Sequence, residues 1–301
     1  RRVMWTRRAL VGAFGASSTL ALTELGLHLT SPRTASGLPG PASELDAAQG
    51  PGLTITPTGF LVLDKDHGFS PGEGQFRANW PKGPTITMTH ERTGVGVGRW
   101  GGPKKKGARQ IVELHGCSLT HGFGVGDRDT FGWALNQQIP WSVRNLACPA
   151  QGLTQVLTRV RHSLKTDPPN AILVGYASFL AERTTWLRHW ARTLAGVTQT
   201  AGPLTAARVP FTRSRTAPVR VGWCPAALSR LPLTDRLHLM DHMDYLMDRA
   251  EAHVARSNAV ATATLQTLHS ECHEASVPLV VFGLDRDPMT AETLQLAAAR
   301  G

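Results

Sequence analysis

After Lys106 the chain alternates short apolar runs with helical spacings, which restricts it to an α/β fold with a parallel sheet covered on both faces. Ile111 to Leu114, Ser142 to Leu146, Ala171 to Tyr176 and Pro278 to Phe282 read as strands. Ala171 to Tyr176 is apolar throughout, as a strand buried on both faces requires. Helical spacing covers Asp129 to Gln138, Gln151 to Leu164, Phe179 to Ala195, Asp235 to Ala275 and Thr290 to Arg300. In the second of these, Val156, Val160 and Leu164 share one face. Gly196 to Leu233 is irregular, rich in Pro, Arg and Thr, and reads as an insertion. No internal repeat is present.

Upstream the pattern differs. Gly59 to Trp100 holds short apolar runs broken by Gly and Pro, with Phe60 to Leu63 and Thr85 to Thr89 as strands. Residues 59–106 are therefore expected to form a β-rich lead-in to an α/β domain at 107–301. Residues 31–58 read as a Pro-, Gly- and Ser-rich linker. In residues 1–30, Arg1, Arg2, Arg7 and Arg8 precede a weakly hydrophobic run from Ala9 to Leu29, about the ~20 residues that cross a bilayer. Three readings compete: a signal-anchor helix with a positive cytoplasmic flank, a cleaved export signal, and a buried helix of the domain. The first is the expectation taken forward, with the globular part outside the cytoplasmic membrane. Arg1 in place of Met and the stop at Gly301 after a helix-like run lead to the expectation that the sequence is a fragment.

The chain has 301 residues, 41% of them hydrophobic, too apolar for disorder. Its formal charge is +10, which permits nucleic acid or anionic membranes as partners. The longest basic run, Lys104 to Lys106, lacks interleaved aromatics and any nucleic-acid motif, so no nucleic-acid partner is expected. Cys117, Cys148, Cys224 and Cys272 form no CxxC pair and no disulfide framework, although one bridge is allowed in an exported domain.

The chemistry-bearing segment is His115-Gly116-Cys117-Ser118-Leu119-Thr120-His121-Gly122, directly after the first strand of the parallel sheet. Ligands of open α/β sheets bind outside the carboxyl ends of strands, where this loop falls. Gly116-Cys117-Ser118-Leu119-Thr120-x-Gly122 resembles the first block of the GDSL/SGNH hydrolase family, G-D-S-L-[ST]-x-G. Asn145 to Gly152 resembles its second block, and Thr89-His90-x-x-x-Gly94 resembles the lead-in of a membrane-associated bacterial branch. The resemblance runs from about Phe60 to the chain end. It implies a flavodoxin-like three-layer α/β/α parallel sheet and an ester-cleaving enzyme. Ser118 would be the nucleophile, forming an acyl-serine. The N–H groups of Ser118 and of the second-block loop, at Ala150 or Gly152, would stabilise the oxyanion.

Three departures accompany it. Ala150 stands where the family has Gly. The third block, G-x-N-D, is absent: Gly175-Tyr176-Ala177-Ser178-Phe179 has no Asn, leaving Ser178 as a replacement oxyanion donor. The closing Asp-x-x-His is also missing, since Asp235-Arg236-Leu237-His238 precedes a long helix and a strand and is a decoy. A sheet ending at its fourth strand leaves an edge exposed, which favours a truncated chain. Cys117, in the family's Asp position, reads as a packing residue, and His115 and His121 as loop residues.

His238 with His242, and His269 with His273, have the i,i+4 spacing of helical metal ligands but lack a third ligand, so no metal is expected. Gly122-x-Gly124-x-Gly126 lacks the rest of a dinucleotide fingerprint, there is no P-loop, and no cofactor is expected. Two functional expectations follow: a serine esterase or O-acyltransferase acting on envelope carbohydrate or simple esters, or a catalytically degenerate accessory subunit of a membrane complex.

Overall fold

Four parallel strands sit beside each other in a computed structural model that describes residues 53–81, 83–105, 110–187, 208–225 and 238–299. They are β7 (Ile111–His115), β8 (Ser142–Asn145), β9 (Ala171–Tyr176) and β12 (Leu279–Gly283), in the spatial order β8-β7-β9-β12. Each lies within a residue or two of the run that foretells it. The sheet is mixed, however, rather than parallel throughout. Strands β1 (Thr54–Thr56), β4 (Gly74–Asn79), β5 (Thr85–Thr93) and β6 (Gly96–Arg99) extend it antiparallel to eight strands. The join is a single pairing, Arg99 with Asn145, between β6 and β8. Strands β4, β5 and β6 of the lead-in therefore continue the central sheet, and so does β1, which falls at the end of the expected linker and shows that its last residues are strand. Two hairpins stand apart, β2 (Leu61–Asp64) with β3 (Gly68–Pro71) and β10 (Arg208–Phe211) with β11 (Gly222–Pro225).

The helices are α1 (Ser118–His121), α2 (Phe131–Gln138), α3 (Leu153–Thr166), α4 (Leu180–Thr185), α5 (His238–Ala255), α6 (Ser257–Glu274) and α7 (Pro288–Ala298). Leu153, Val156, Leu157 and Val160 form one stripe of α3 and are buried against Ile172, Val174 and Tyr176 of β9 and Leu265, Leu268 and Cys272 of α6. Each such aliphatic side chain contributes roughly 1.5–3 kcal/mol by leaving water. A second apolar cluster joins the lead-in to the loop after β8: Phe60, Leu61, Phe69, Phe76 and Met88 pack with Cys148, Ala150 and Trp186. The single helical region read over Asp235 to Ala275 is two helices, broken where Arg256 takes a left-handed conformation, φ 47°.

Contacts divide the chain into one unit of Pro41–Leu228 with Ala252–Gly301 and another of Arg1–Gly40 with Ser229–Glu251. In the second, the described residues belong to α5. Among the described residues no helix is long and apolar enough to cross a membrane. The expected anchor at 1–30, nearly all of the linker and most of the insertion lie outside the described residues.

Candidate active site

At the end of β7 the backbone turns at Gly116, φ 147°. A Cβ there would lie 2.3 Å from Thr120 Oγ1 and 3.0 Å from the Gly175 carbonyl oxygen, so no side chain fits. Cys117 follows in extended backbone and Ser118 opens the one-turn helix α1. Gly122 closes it as a left-handed cap, φ 78°, with room for nothing larger because a Cβ would meet Thr130 Cγ2 at 2.5 Å. Both glycines of the first block are thus required by the turn that presents Ser118. The serine is 8% exposed, so it is reached only from the carboxyl end of the central strand.

The loop after β8 is stitched to this turn. Asn145 Nδ2 donates to the Thr120 carbonyl at 3.1 Å, its Oδ1 accepts from Ala147 N–H at 3.2 Å, and Cys148 N–H donates to Gly116 O at 3.2 Å. Ala150, in the resemblance's glycine position, holds the left-handed conformation a glycine would take, φ 65°. Gly152 is engaged elsewhere. Its N–H donates to Gln155 Oε1 at 3.1 Å at the start of α3, and a Cβ on it would stand 2.6 Å from the backbone of Arg183 and of Thr184.

Ser178 follows β9. Its hydroxyl donates to Asp287 Oδ2 at 2.5 Å, and Asp287 Oδ1 accepts the Met289 N–H at 3.0 Å, capping α7. The Ser178 hydroxyl first, and the Met289 N–H second, hold the Asp287 carboxyl below its usual range. Leu284 N–H donates to Tyr176 O at 2.7 Å, so the loops after β9 and β12 are joined as well.

No hydrogen bond links the Ser118 hydroxyl to a histidine or carboxylate among the described residues; both neighbouring histidines are committed elsewhere. His115 Nε2 donates to Glu113 Oε2 at 3.0 Å, with both side chains fully buried. Glu113 Oε1 also receives Arg144 Nη1 at 3.2 Å, and Arg144 continues to Asp167. His121 meets His90 of β5, Nε2 to Nε2 at 2.9 Å. His90 Nδ1 lies 2.9 Å from the Gly72 carbonyl, which can only accept. The neutral His90 therefore carries its proton on Nδ1, and His121 must donate through Nε2. That leaves the His121 Nδ1 lone pair buried with no partner among the described residues.

Both imidazoles are kept neutral. Burial lowers His90 to about 4, with Arg99 acting in the same direction. Burial, then His90, then Arg99 push His121 well below its usual range. Arg99 itself is buried and pairs with Asp127 at 3.0 Å; burial lowers it to about 10 while Asp127 opposes. Asp127 also accepts the Thr89 N–H and hydroxyl at 2.8 and 2.6 Å.

Cys117 is fully buried, and burial pushes its thiol up despite Arg183 and nearby N–H groups, which opposes a nucleophilic thiolate. All four cysteines are free thiols. Asp235 lies outside the described residues, and His238 begins α5. The His269 and His273 rings are 6.2 Å apart, and among the described residues no three His, Cys, Asp or Glu are grouped to hold a metal. Sequence reasoning assigned no role to Glu113, Arg99 or Asp287, and it marked His90 only through the Thr89-His90 lead-in motif, not as the partner of His121. Glu113 carried a local signal, since residues i and i+2 of a strand share a face.

No family model matches the chain, and no curated protein matches it. Among solved structures, it is similar to a protein of Bacteroides fragilis NCTC 9343 described as a putative acylhydrolase, with 12% identity and a TM-score of 0.24 over 64% of this chain and 85% of that one.

Proposed function

We propose that the chain is a serine-dependent acyl-ester hydrolase of the GDSL/SGNH type, with a flavodoxin-like parallel core. The carrying observation is Ser118 at the first position of a one-turn helix, at the carboxyl end of a central parallel strand, framed by Gly116 and Gly122. Ser118 Oγ adds to the acyl carbon and the alcohol departs with the serine's proton. Water then cleaves the acyl-serine to release the acid. The N–H groups of Ser118 and Ala150 receive the oxyanion. Acetyl groups on envelope carbohydrate or simple acyl esters are the substrate class. Transfer of the acyl group to another hydroxyl needs only a different acceptor. The globular part works outside the cytoplasmic membrane, held by residues 1–30.

A second reading is favoured by a specific observation: His115, His121 and Ser178 are each engaged away from Ser118. On that reading the domain is an accessory subunit of a membrane complex. A fluorophosphonate probe separates the two. The esterase forms a covalent adduct at Ser118, and Ser118→Ala abolishes both the adduct and p-nitrophenyl acetate hydrolysis. A folded full-length chain that takes no label is the accessory subunit.

A further inference from the structure

The β10–β11 hairpin carries cationic side chains with no carboxylate of its own. Arg208 to Pro225 contains four arginines, Arg208, Arg213, Arg215 and Arg220, and no Asp or Glu. All four are exposed. Among the described residues no carboxylate pairs with Arg208, Arg215 or Arg220.

The hairpin's two faces differ. Cross-strand partners point the same way, so Val209 and Cys224 share one face, and Val209 is buried in the lead-in cluster. Arg208, Pro210 and Trp223 alternate onto the other face, since Pro210 is the register partner of Trp223; Pro210 is buried, and Arg208 and Trp223 are the exposed residues of that face. Trp223 is 36% exposed there. Arg215 Nη2 donates to the Val254 carbonyl at 2.8 Å, which sets a guanidinium beside an isopropyl group that is 67% exposed. A carbonyl does not neutralise the arginine, so its charge remains available.

We propose that this outer face docks on an anionic lipid bilayer. Guanidinium groups take the phosphates, while the indole sits at headgroup level with its body apolar and its N–H wet. The exposed valine separates this partner from nucleic acid, whose phosphate backbone offers it nothing. A single-strand platform also stacks successive bases on several aromatics, and this face has one. The inference does not rest on Ser118.

The test uses the full chain with the photo-reactive p-benzoylphenylalanine in place of Trp223. It is irradiated on vesicles of phosphatidylglycerol with phosphatidylcholine, and on phosphatidylcholine alone. The N-terminal run would bring the chain to both vesicles, so the readout is the lipid adduct at residue 223. Adducts on anionic vesicles should exceed those on neutral ones by about tenfold or more. Replacing Arg208, Arg215 and Arg220 by Gln should remove that excess, in a variant whose melting matches the parent. The same amino acid at Leu63, an exposed site of β2, should give none. Equal adducts on both vesicles, adducts unchanged in the triple variant, or protection of residue 223 by DNA without any lipid adduct would each overturn the proposal.

Discussion

His115 and His121 stand three residues to either side of Ser118, yet the fold buries them by opposite means. His115 lies in the central strand against a carboxylate, which is in turn shared with Arg144. His121 lies on the lead-in side against a second imidazole, with buried Arg99 nearby. The first arrangement sets the imidazole against a carboxylate that also receives an arginine. The second avoids charge, joining neutral rings by an ordered pair of tautomers. The turn bearing Ser118 is therefore pinned on one side by an ionic set and on the other by a neutral hydrogen-bond chain, and the two should fail under different insults.

The ionic side should show the largest effect. Glu113→Ala leaves His115 and Arg144 without their shared acceptor inside the sheet. Breaking such a buried pair costs about 3–5 kcal/mol, read as a lower urea midpoint at neutral pH. Glu113→Gln keeps an acceptor and should lose less. A loss under about 1 kcal/mol for the alanine variant would mean that water already reaches this set.

Acid should strike the neutral side. The folded state keeps His90 neutral until about pH 4, whereas the unfolded chain protonates it near pH 6.5. Between those values the unfolded chain binds more protons. Stability is thus full above about pH 6.5 and falls as pH drops towards 4, by on the order of 3 kcal/mol for His90 alone. His121 and His67, both lowered chiefly by burial, act in the same direction. His121→Gln retains a donor for His90 without a titrating ring, so the acid slope of urea stability should flatten. An unchanged slope would assign acid sensitivity elsewhere.

These two sides also differ in what the sequence discloses. The Glu113–His115 contact is encoded locally, because residues i and i+2 of one short strand share a face. His90 and His121 are 31 residues apart and meet only because β6 joins the lead-in to β8. That join is one residue pair, too short to leave a pattern. Strand β9 was legible because its six residues form one apolar run, whereas β8, Ser-Val-Arg-Asn, was read from its place between helical spacings. The break at Arg256 was not, since neither Gly nor Pro marks it. For the candidate site, Ser118 and its two glycines followed from the motif. The engagement of Ser178 with Asp287 depends on a loop from β12 that no local spacing reveals.

Gly152 gives a smaller test of the same turn. As an oxyanion donor through its N–H it would tolerate a methyl group; as the close contact of α3 with α4 it would not. A Cβ at 2.6 Å from backbone atoms forces a shift costing about 1–3 kcal/mol. Gly152→Ala should therefore lower the melting temperature, with the Ser118 adduct forming in whatever fraction stays folded. Unchanged melting with loss of the adduct would restore Gly152 to the chemistry.

The smallest effect is expected for Ala150→Gly, because Ala150 already holds a left-handed backbone, φ 65°. A left-handed alanine costs roughly 1–2 kcal/mol relative to the ordinary helical region. Replacement by glycine removes that cost, but it frees the unfolded backbone and withdraws a methyl from the apolar cluster shared with Phe60 and Trp186. The opposing contributions are of similar size, so Ala150→Gly should change urea stability by less than about 1 kcal/mol. Ala150→Val has no such balance: a β-branched side chain at φ 65° strains the backbone and overfills a buried site, and a loss of about 2–3 kcal/mol is expected. If valine is tolerated as well as glycine, the loop after β8 has left the left-handed conformation on which the proposed oxyanion role depends.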